Sequence, residues 1–180
     1  MVNPLNQKQK DLLAELDRLG IAQRTITHPP VFTVEEAKQL RGKIEGGHTK
    51  NLFLKDKSDR LFLAVTLEDV PVDLKALGPL AGARGRLSFA SADLLREHLG
   101  VEPGSVTPFA LFNNRTRSVT PVLDEAMLAV NPLNFHPLEN TATTAISSDH
   151  LLKFVAAQGH VALTLRFPRR PSGAISEADQ

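Results

Sequence analysis

Six consecutive residues, Gly46-Gly47-His48-Thr49-Lys50-Asn51, set an imidazole, a hydroxyl, an ammonium and an amide side by side after two glycines. Paired glycines let the backbone reach φ > 0 and let a ligand come close to the main chain. The apolar run Leu52-Phe53-Leu54 that follows reads as a buried strand, so these polar groups stand at the mouth of a rigid element, where binding sites are often built. Taken alone, the hexapeptide is more simply an ordinary loop-to-strand junction with a solvated lysine. A second stretch, Gly104-Ser105-Val106-Thr107-Pro108, combines a tight bend, a fixed exit and consecutive backbone N–H groups with two hydroxyls. Such a curved backbone can present donors to a carbonyl or phosphate oxygen, although Gly and Pro mark most loops. A third, Asn134-Phe135-His136-Pro137-Leu138-Glu139-Asn140-Thr141-Ala142-Thr143-Thr144, carries a histidine, an acid, amides and a string of hydroxyls. A histidine titrating near neutrality suits hydrolysis; the plainer reading is a turn at Pro137 followed by a strand with a wet threonine face.

Sharper signatures are missing. The chain has no Gly-x-Ser-x-Gly elbow, phosphate-binding loop, His-Glu-x-x-His pair or dinucleotide fingerprint. Its six histidines do not fall at helical metal-ligand spacing, and it has no cysteine, which excludes disulfides, thiol catalysis and Cys-ligated metal. Neither a metal nor a cofactor is expected.

The elements that must position these stretches follow from periodicity. Asn6 to Leu19 reads as a helix with Leu12, Leu13, Leu16 and Leu19 on one face, ended by Gly20. Ile21 to Thr27 alternates as a short strand, and Thr33-Val34-Glu35-Glu36 is a capping box opening a helix to about Leu40. Leu52–Lys55 and Leu61–Leu67 flank a polar turn as a hairpin. Asp73–Leu80 reads as a short helix ended by Gly78-Pro79, Leu87–Ala90 as a strand, and Ala92–Leu99 as a helix capped by Ser91. Phe109–Phe112 and Val119–Leu123 look like buried strands, the second an edge or broken strand because of Pro121. Asp124–Leu128 could form one helical turn, Asn134–Leu138 an extended segment, and the threonine-rich stretch through Ile146 favours β structure. Ser148 then caps a helix over Asp149–Gln158, and Val161–Phe167 is the last strand. The expectation is one α+β domain over residues 1–180, with helices among antiparallel hairpins, a core over about 20–167 and a poorly ordered tail from Pro168.

Composition sets limits. Hydrophobic residues make up 42% and charged residues 23%, an ordinary globular balance. A formal charge of +1 excludes a generic polyanion binder, yet Arg84 with Arg86, and Arg115 with Arg117, could dock a nucleic acid locally. Tyr and Trp are absent and the nine Phe lie mostly in apolar runs, against a sheet that stacks single-stranded bases. The polar segment Met1–Lys10 lacks the apolar core of a signal peptide, and no run is long enough to span a membrane, so the chain reads as soluble and cytoplasmic.

Taken in order, the three chemical stretches resemble the YbaK/ProX family of aminoacyl-tRNA editing domains, and within it the freestanding prolyl-tRNA editing members that clear alanine from proline tRNA. The resemblance spans roughly residues 20–167. It implies a curved, mostly antiparallel sheet surrounded by helices, with a cleft on one side. It implies hydrolysis of the ester joining a misattached amino acid to the 3′-terminal adenosine. Carried over by residue, Lys50 matches the family's site lysine, for the terminal phosphate or a developing charge. Gly104, Ser105, Val106, Thr107 and Pro108 match the loop whose backbone holds the aminoacyl carbonyl or attacking water, and His136 matches the pocket histidine. Asn51 and His48 stand beside the lysine, and Asn140, Thr143 and Thr144 follow the histidine as further substrate contacts. The implied partner is the acceptor end of aminoacylated tRNA, with prolyl-tRNA synthetase as the candidate protein partner. The competing readings are a nucleic-acid-binding module without catalysis, motivated by the arginine pairs, and a synthetase-associated module.

Overall fold

The apolar run Leu61–Leu67 forms a strand, β3, in which every residue but the last is buried. Its odd-numbered side chains Leu61, Leu63 and Val65 enter one core, and Phe62 and Ala64 enter a second on the opposite face. Burial on both faces is why this segment is continuously apolar rather than alternating. The computed structural model, which describes residues 3–31 and 33–172, builds a mixed α/β fold around this strand.

The described elements are α1 (Gln7–Arg18), β1 (Arg24–Thr27), α2 (Val34–Arg41), β2 (Gly47–Lys55), β3, α3 (Leu74–Leu80), β4 (Ser88–Phe89), α4 (Ala92–Leu99), a 3-10 helix (Pro108–Phe112), β5 (Val119–Asp124), α5 (Glu125–Leu128), β6 (Leu133–Phe135), β7 (Ala142–Ile146), α6 (Ser148–Ala157) and β8 (Leu163–Leu165). The sheet runs β1-β7-β6-β2-β3-β5-β8, with β4 added to β2. The pairs β1–β7, β6–β7, β2–β3 and β2–β4 are antiparallel; β2–β6, β3–β5 and β5–β8 are parallel. Parallel neighbours need crossover connections, so the sheet holds fewer hairpins than the sequence suggests. Helices α1, α4 and α6 and the 3-10 helix cover the face of the larger core through Leu12, Leu16, Leu95, Leu99, Phe109 and Phe154, while Leu77 of α3 packs on the other.

Local signals act as read at most helix starts. Thr33 and Glu36 form the reciprocal capping box of α2, each bond 3.1 Å long, while Asn6, expected as the first helical residue, is instead the N-cap of α1. The cap of α6 is Ser147, one residue before the expected Ser148, whose N–H is instead taken by Asn131 Oδ1. Pro79 does not end α3, which runs on to Leu80. Phe109–Phe112 is a 3-10 helix and not a strand: Thr107 Oγ1 accepts from Phe109 N and Pro108 takes the first position, which curls the apolar run. Pro121 does not break β5; it lies opposite Leu63, and β8 pairs only from Val122 onward, leaving an unpaired side that a strand proline tolerates. Pro168 to Arg170 are not loose. Pro168 O accepts from Asp73 N and Arg170 N donates to Pro71 O, with Arg169 bridging Val72. The rest of the expected tail, residues 173–180, lies outside the described residues.

One buried carboxylate fixes the β2–β3 turn. Asp56 accepts from the backbone N–H of Ser58, Arg60 and Arg84 and from Arg60 Nε at 2.8–3.1 Å. Burial works against its charge, but these donors prevail and hold its pKa well below the ordinary carboxylate range. The same bonds tie the loop carrying Arg84 and Arg86 to the hairpin.

Phe109 is fully buried between Phe135 and Phe154, edge-on to both rings with centroids 5.7 and 5.4 Å away. Phe109→Ala is therefore expected to lower the unfolding free energy by about 3–5 kcal/mol in urea titrations. Phe89→Ala, at a half-exposed position on β4, should change it by less than about 0.5 kcal/mol.

Candidate functional site

Where β2 begins, its backbone is pressed against β6. Gly46 takes φ +108°, and a Cβ there would lie 2.5 Å from Pro132 O, so glycine is required. Gly47 N donates to Pro132 O, and the parallel register pairs Gly47 with Leu133 and His48 with Asn134. Asn134 strengthens the junction: its Nδ2 donates to Glu45 O at 3.0 Å and Gly47 O at 3.3 Å, while its own carbonyl accepts the Thr49 hydroxyl at 2.8 Å.

This junction is one wall of a cleft of about 180 Å³. His48, Thr49 and Asn51 come from β2, Asn134 and His136 from β6 and the residue after it, and Asn140 and Thr143 from the next turn and β7. Gly104 contributes from the distant loop, and Ala37, Leu40 and Arg41 of α2 stand across the opening. Arg41 is paired with Glu68, also in the wall, at 2.8 Å. Asn134 and Thr143 separate this cleft from a second cavity of about 380 Å³ bordered by Arg24, Glu45 and His150.

The histidines are oriented by what they bond. His136 Nδ1 faces Ala142 O at 3.2 Å, which requires a proton on Nδ1 and leaves Nε2 as an acceptor in the neutral ring. Burial lowers the His136 pKa from its ordinary value; the bond to Ala142 O opposes that shift and nearby His28 adds to it. His28 Nδ1 faces Pro29 O, so its Nε2 receives the Thr143 hydroxyl, each at 2.9 Å. Between His136 and Asn140 the chain reverses at Leu138, which takes φ +71° with its N–H on His136 O. That conformation is costly for a non-glycine residue and is held here by burial of the Leu138 side chain in the larger core.

Of the residues singled out in the sequence, His48, Asn51, Gly104, His136, Asn140 and Thr143 come together in the cleft wall. Only Gly104 of its loop does so. Ser105, Thr107 and Pro108 are buried behind it, with Ser105 N on Glu102 O and the Thr107 hydroxyl capping the 3-10 helix. Val106 packs against the larger core. Thr144 is buried in the β1–β7 pairing, with its hydroxyl on Thr25 Oγ1. Lys50 is not a wall residue of this cleft. Alternation places it on the side of Leu52 and Leu54, opposite Thr66 on β3. The Thr66 hydroxyl donates to Asp124 Oδ2 at 2.6 Å, and both residues are buried, so Lys50 sits over a polar row on the second face. Thr49 and Asn134 stand in the chemical stretches of the sequence but carried no site role there; each lies two residues from one that did, Asn51 and His136, and the two-residue strand period puts them on the same face. Among the described residues no group of three or more His, Cys, Asp or Glu side chains could hold a metal ion.

Comparison with known proteins gives consistent results. The family model described as an aminoacyl-tRNA editing domain matches residues 28–154. A Danio rerio protein named prolyl-tRNA synthetase associated domain-containing protein 1 is 42% identical over 161 residues, covering 88% of this chain and 87% of its own length. The prolyl-tRNA editing protein ProX of Acetoanaerobium sticklandii is 37% identical over 150 residues, covering 83% and 91%. Among solved structures, hypothetical protein APE2540 aligns with a TM-score of 0.68 at 25% identity over 87% of this chain and 98% of its own. A proposed trans-editing enzyme for prolyl tRNA synthetase aligns with a TM-score of 0.72 over 93% and 100%, and at 20% identity this likeness bears on the fold alone. Among the described residues no helix is long and apolar enough to cross a membrane.

The buried histidines make stability depend on pH. His136 and His160 both have pKa values lowered mainly by burial, from an ordinary 6.5. The unfolded chain therefore takes up protons before the folded chain as pH falls through 6.5. No penalty exists above that range; stability is lost progressively below it. The thermal midpoint should fall between about pH 7 and pH 5, and fall less in a His136→Asn/His160→Gln double variant.

Proposed function

We propose a function from a plain premise: the chain belongs to the aminoacyl-tRNA editing domain family. As a member it is an aminoacyl-tRNA editing enzyme, and its substrate class is aminoacylated tRNA. The finer reading is that it hydrolyses the ester between a misattached amino acid and the 3′-terminal adenosine, and that the amino acid is alanine on proline tRNA.

One observation carries this reading. Three stretches far apart in the chain contribute Asn51, Gly104 and His136 to one cleft of about 180 Å³. Drug-sized ligand pockets typically run about 300–1,000 Å³. A smaller space suits the aminoacyl end of the substrate and leaves the nucleotide at the mouth. Discrimination is then steric: the walls accept a methyl side chain and reject the proline ring, whose overpacking costs about 1–3 kcal/mol.

The ester is already activated by the neighbouring ribose hydroxyl, so the protein's task is to position it, polarise it and admit water. The backbone at Gly104, which lines the cleft at φ +87°, approaches the carbonyl or the attacking water without a side chain in the way. His136, kept neutral by burial, accepts through Nε2. The role of Lys50, a positive charge for the terminal phosphate or the developing oxyanion, rests on the family resemblance: the residue follows the wall residue Thr49 and precedes Asn51 on β2, but faces the other side of the strand. Asn140, Thr143 and His48 complete the binding wall, and Ser105, Val106, Thr107, Pro108 and Thr144 hold it from behind.

For the tRNA body, exposed Arg84 and Arg86 are the candidate phosphate contacts, fixed through Asp56 at the far end of β2. The segment from Thr49 to Lys55 covers about 20 Å at strand spacing, a span that unpaired acceptor nucleotides can bridge. The similarity to proteins named for prolyl-tRNA synthetase association supports that synthetase as a protein partner.

Deacylation assays test the reading. Alanine on proline tRNA should be released, proline on the same tRNA spared, and Lys50→Ala should reduce release at least about 100-fold with an unchanged thermal midpoint. Normal turnover in Lys50→Ala would remove that residue from the machinery, and equal release of proline would overturn the specificity. An Arg84→Ala/Arg86→Ala variant should raise KM and flatten its salt dependence while leaving kcat within about twofold.

A further inference from the structure

At the end of the sheet away from the cleft, four strands stop or start together, and the chain entering or leaving each of them is basic. β2 leaves the sheet at Lys55, β3 enters at Leu61, β4 at Ser88 and β5 at Val119. The register sets Lys55 opposite both Ser88 and Leu61, and Leu61 opposite Val119. The segments 55–60, 84–86 and 115–117 therefore gather at one end of the sheet. They hold seven Lys and Arg against two Asp, in a chain whose formal charge is +1. Both acids are paired within the group: Asp56 is buried against Arg60, and Asp59 pairs with Lys55. Lys57, Arg84, Arg86, Arg115 and Arg117 remain, all exposed, and among the described residues no carboxylate pairs with any of them.

Two of these cations are placed by glycines and not by counter-ions. The Lys57 stem lies along Gly85, where a Cβ would come within 2.6 Å of its Cδ, and the Arg117 guanidinium lies over Gly159, where a Cβ would collide with its Nε. Lys57 N also donates to Arg84 O, and Arg84 N to the buried Asp56, so the lysine, the arginine loop and the hairpin turn are tied together. Charges gathered without partners repel one another, and charges already set in place give an arriving polyanion an ordered contact. Across β4, β2, β3 and β5 the group spans about 14 Å at strand spacing, wider than one small anion. Four of the five are arginines, whose planar forks match phosphate oxygens. A site for single-stranded nucleic acid would add aromatic faces for unstacked bases, and Phe89 is the one exposed phenylalanine among the described residues.

We propose that this end of the sheet docks double-helical RNA, the paired stem beside the acceptor end, with Lys57, Arg115 and Arg117 joining Arg84 and Arg86 as contacts to phosphates of both strands. The choice of RNA rests on the editing function proposed above, which by itself calls on Arg84 and Arg86 alone. Duplex RNA is recognised mostly by its shape and by phosphate and 2′-hydroxyl contacts across its wide minor groove, so the surface reads a helix and not a sequence. The cleft lies at the other end of β2, about 20 Å away at strand spacing. A stem held at one end of that strand and an ester held at the other make the enzyme sensitive to the length of the unpaired segment between them.

The test reads binding apart from turnover. The probe is an RNA hairpin with the acceptor stem of proline tRNA and its unpaired 3′ end, carrying no amino acid, and its binding to the full chain is followed by fluorescence anisotropy between about 50 and 200 mM salt. Five phosphate contacts give a slope of log affinity against log salt of about −4 to −5. Lys57→Ala/Arg115→Ala should bring the slope to about −3 and weaken binding at least about tenfold, with the thermal midpoint unchanged. Lys8→Ala/Lys10→Ala, which removes the same charge from exposed positions of α1, should leave the slope unchanged. Arg117→Ala should weaken binding as well, and if losing its packing on Gly159 unfolds the chain, the Lys57/Arg115 variant decides. Removing the unpaired 3′ end from the hairpin should change affinity by less than about threefold, because the stem makes the contacts. No binding of the hairpin, an unchanged slope in Lys57→Ala/Arg115→Ala, an equal loss in the α1 variant, or loss of binding with the unpaired end removed overturns the proposal. Unchanged RNA affinity in Lys57→Ala/Arg115→Ala together with lost association with prolyl-tRNA synthetase would make the surface a protein interface and overturn it too. Alanine release from tRNA with that affinity unchanged retires the duplex surface alone. Failure to release any aminoacyl group, with the slope reduced as expected, retires the hydrolytic reading and leaves the duplex surface standing.

Discussion

The short parallel pairing of β2 with β6 is the constraint on which the rest depends. It is two residue pairs long, Gly47 with Leu133 and His48 with Asn134, yet it joins β1, β7 and β6 to β3, β5 and β8 in one sheet. So short a ladder needs support, and the side chains supply it. Asn134 ties the backbone of residues 45 and 47, Thr49 ties Asn134, and Gly46 permits an approach that a Cβ would block. The cleft lies against this seam, with its polar residues standing on both strands.

Holding a seam with side-chain hydrogen bonds also decides the chemistry of the cleft. Asn134 Nδ2 and the Thr49 hydroxyl turn inward to staple the backbone, which fixes how the two side chains stand in the wall. Burial of His136 keeps its ring neutral, with Nε2 as an acceptor. Behind this wall, the 3-10 helix and Phe109 brace Phe135 on one side and Phe154 of α6 on the other, which fixes the position of β6 against the helices. The larger core is thus continuous with the site, and the loop opened by Gly104 is anchored to it through Thr107 and Pro108.

The opposite face carries different chemistry. Thr66 and Asp124 form a buried hydrogen bond, and Asp124 also accepts from Ala126 N and Phe167 N, linking β3, β5, α5 and the segment after β8. Lys50 shares this face and sits opposite Thr66, while its neighbours Thr49 and Asn51 face the cleft. One strand end thereby serves two environments, because successive side chains of a strand point to opposite sides.

Several features were settled by local sequence. The capping residues Asn6, Thr33 and Ser91, the leucine stripe of α1, the turn at Asp56 and the glycine junction at Gly46-Gly47 all act through bonds or torsions within a few residues, so they are visible in the chain itself. The order and spacing of three polar stretches sufficed to recognise the editing family. What tertiary structure alone decided has longer range. Parallel pairing of β3 with β5, and of β5 with β8, leaves no local mark, since the apolar runs would serve either direction. The curl of Phe109–Phe112 into a 3-10 helix was settled by a cap and by aromatic neighbours 26 and 45 residues away. Asn134 looks like any strand asparagine until its amide is seen bridging carbonyls 89 and 87 residues earlier. Which members of each polar stretch face the cleft, and which support it from behind, depends on the register of two distant strands. That register follows from packing both faces of the sheet at once, and no window of sequence contains it.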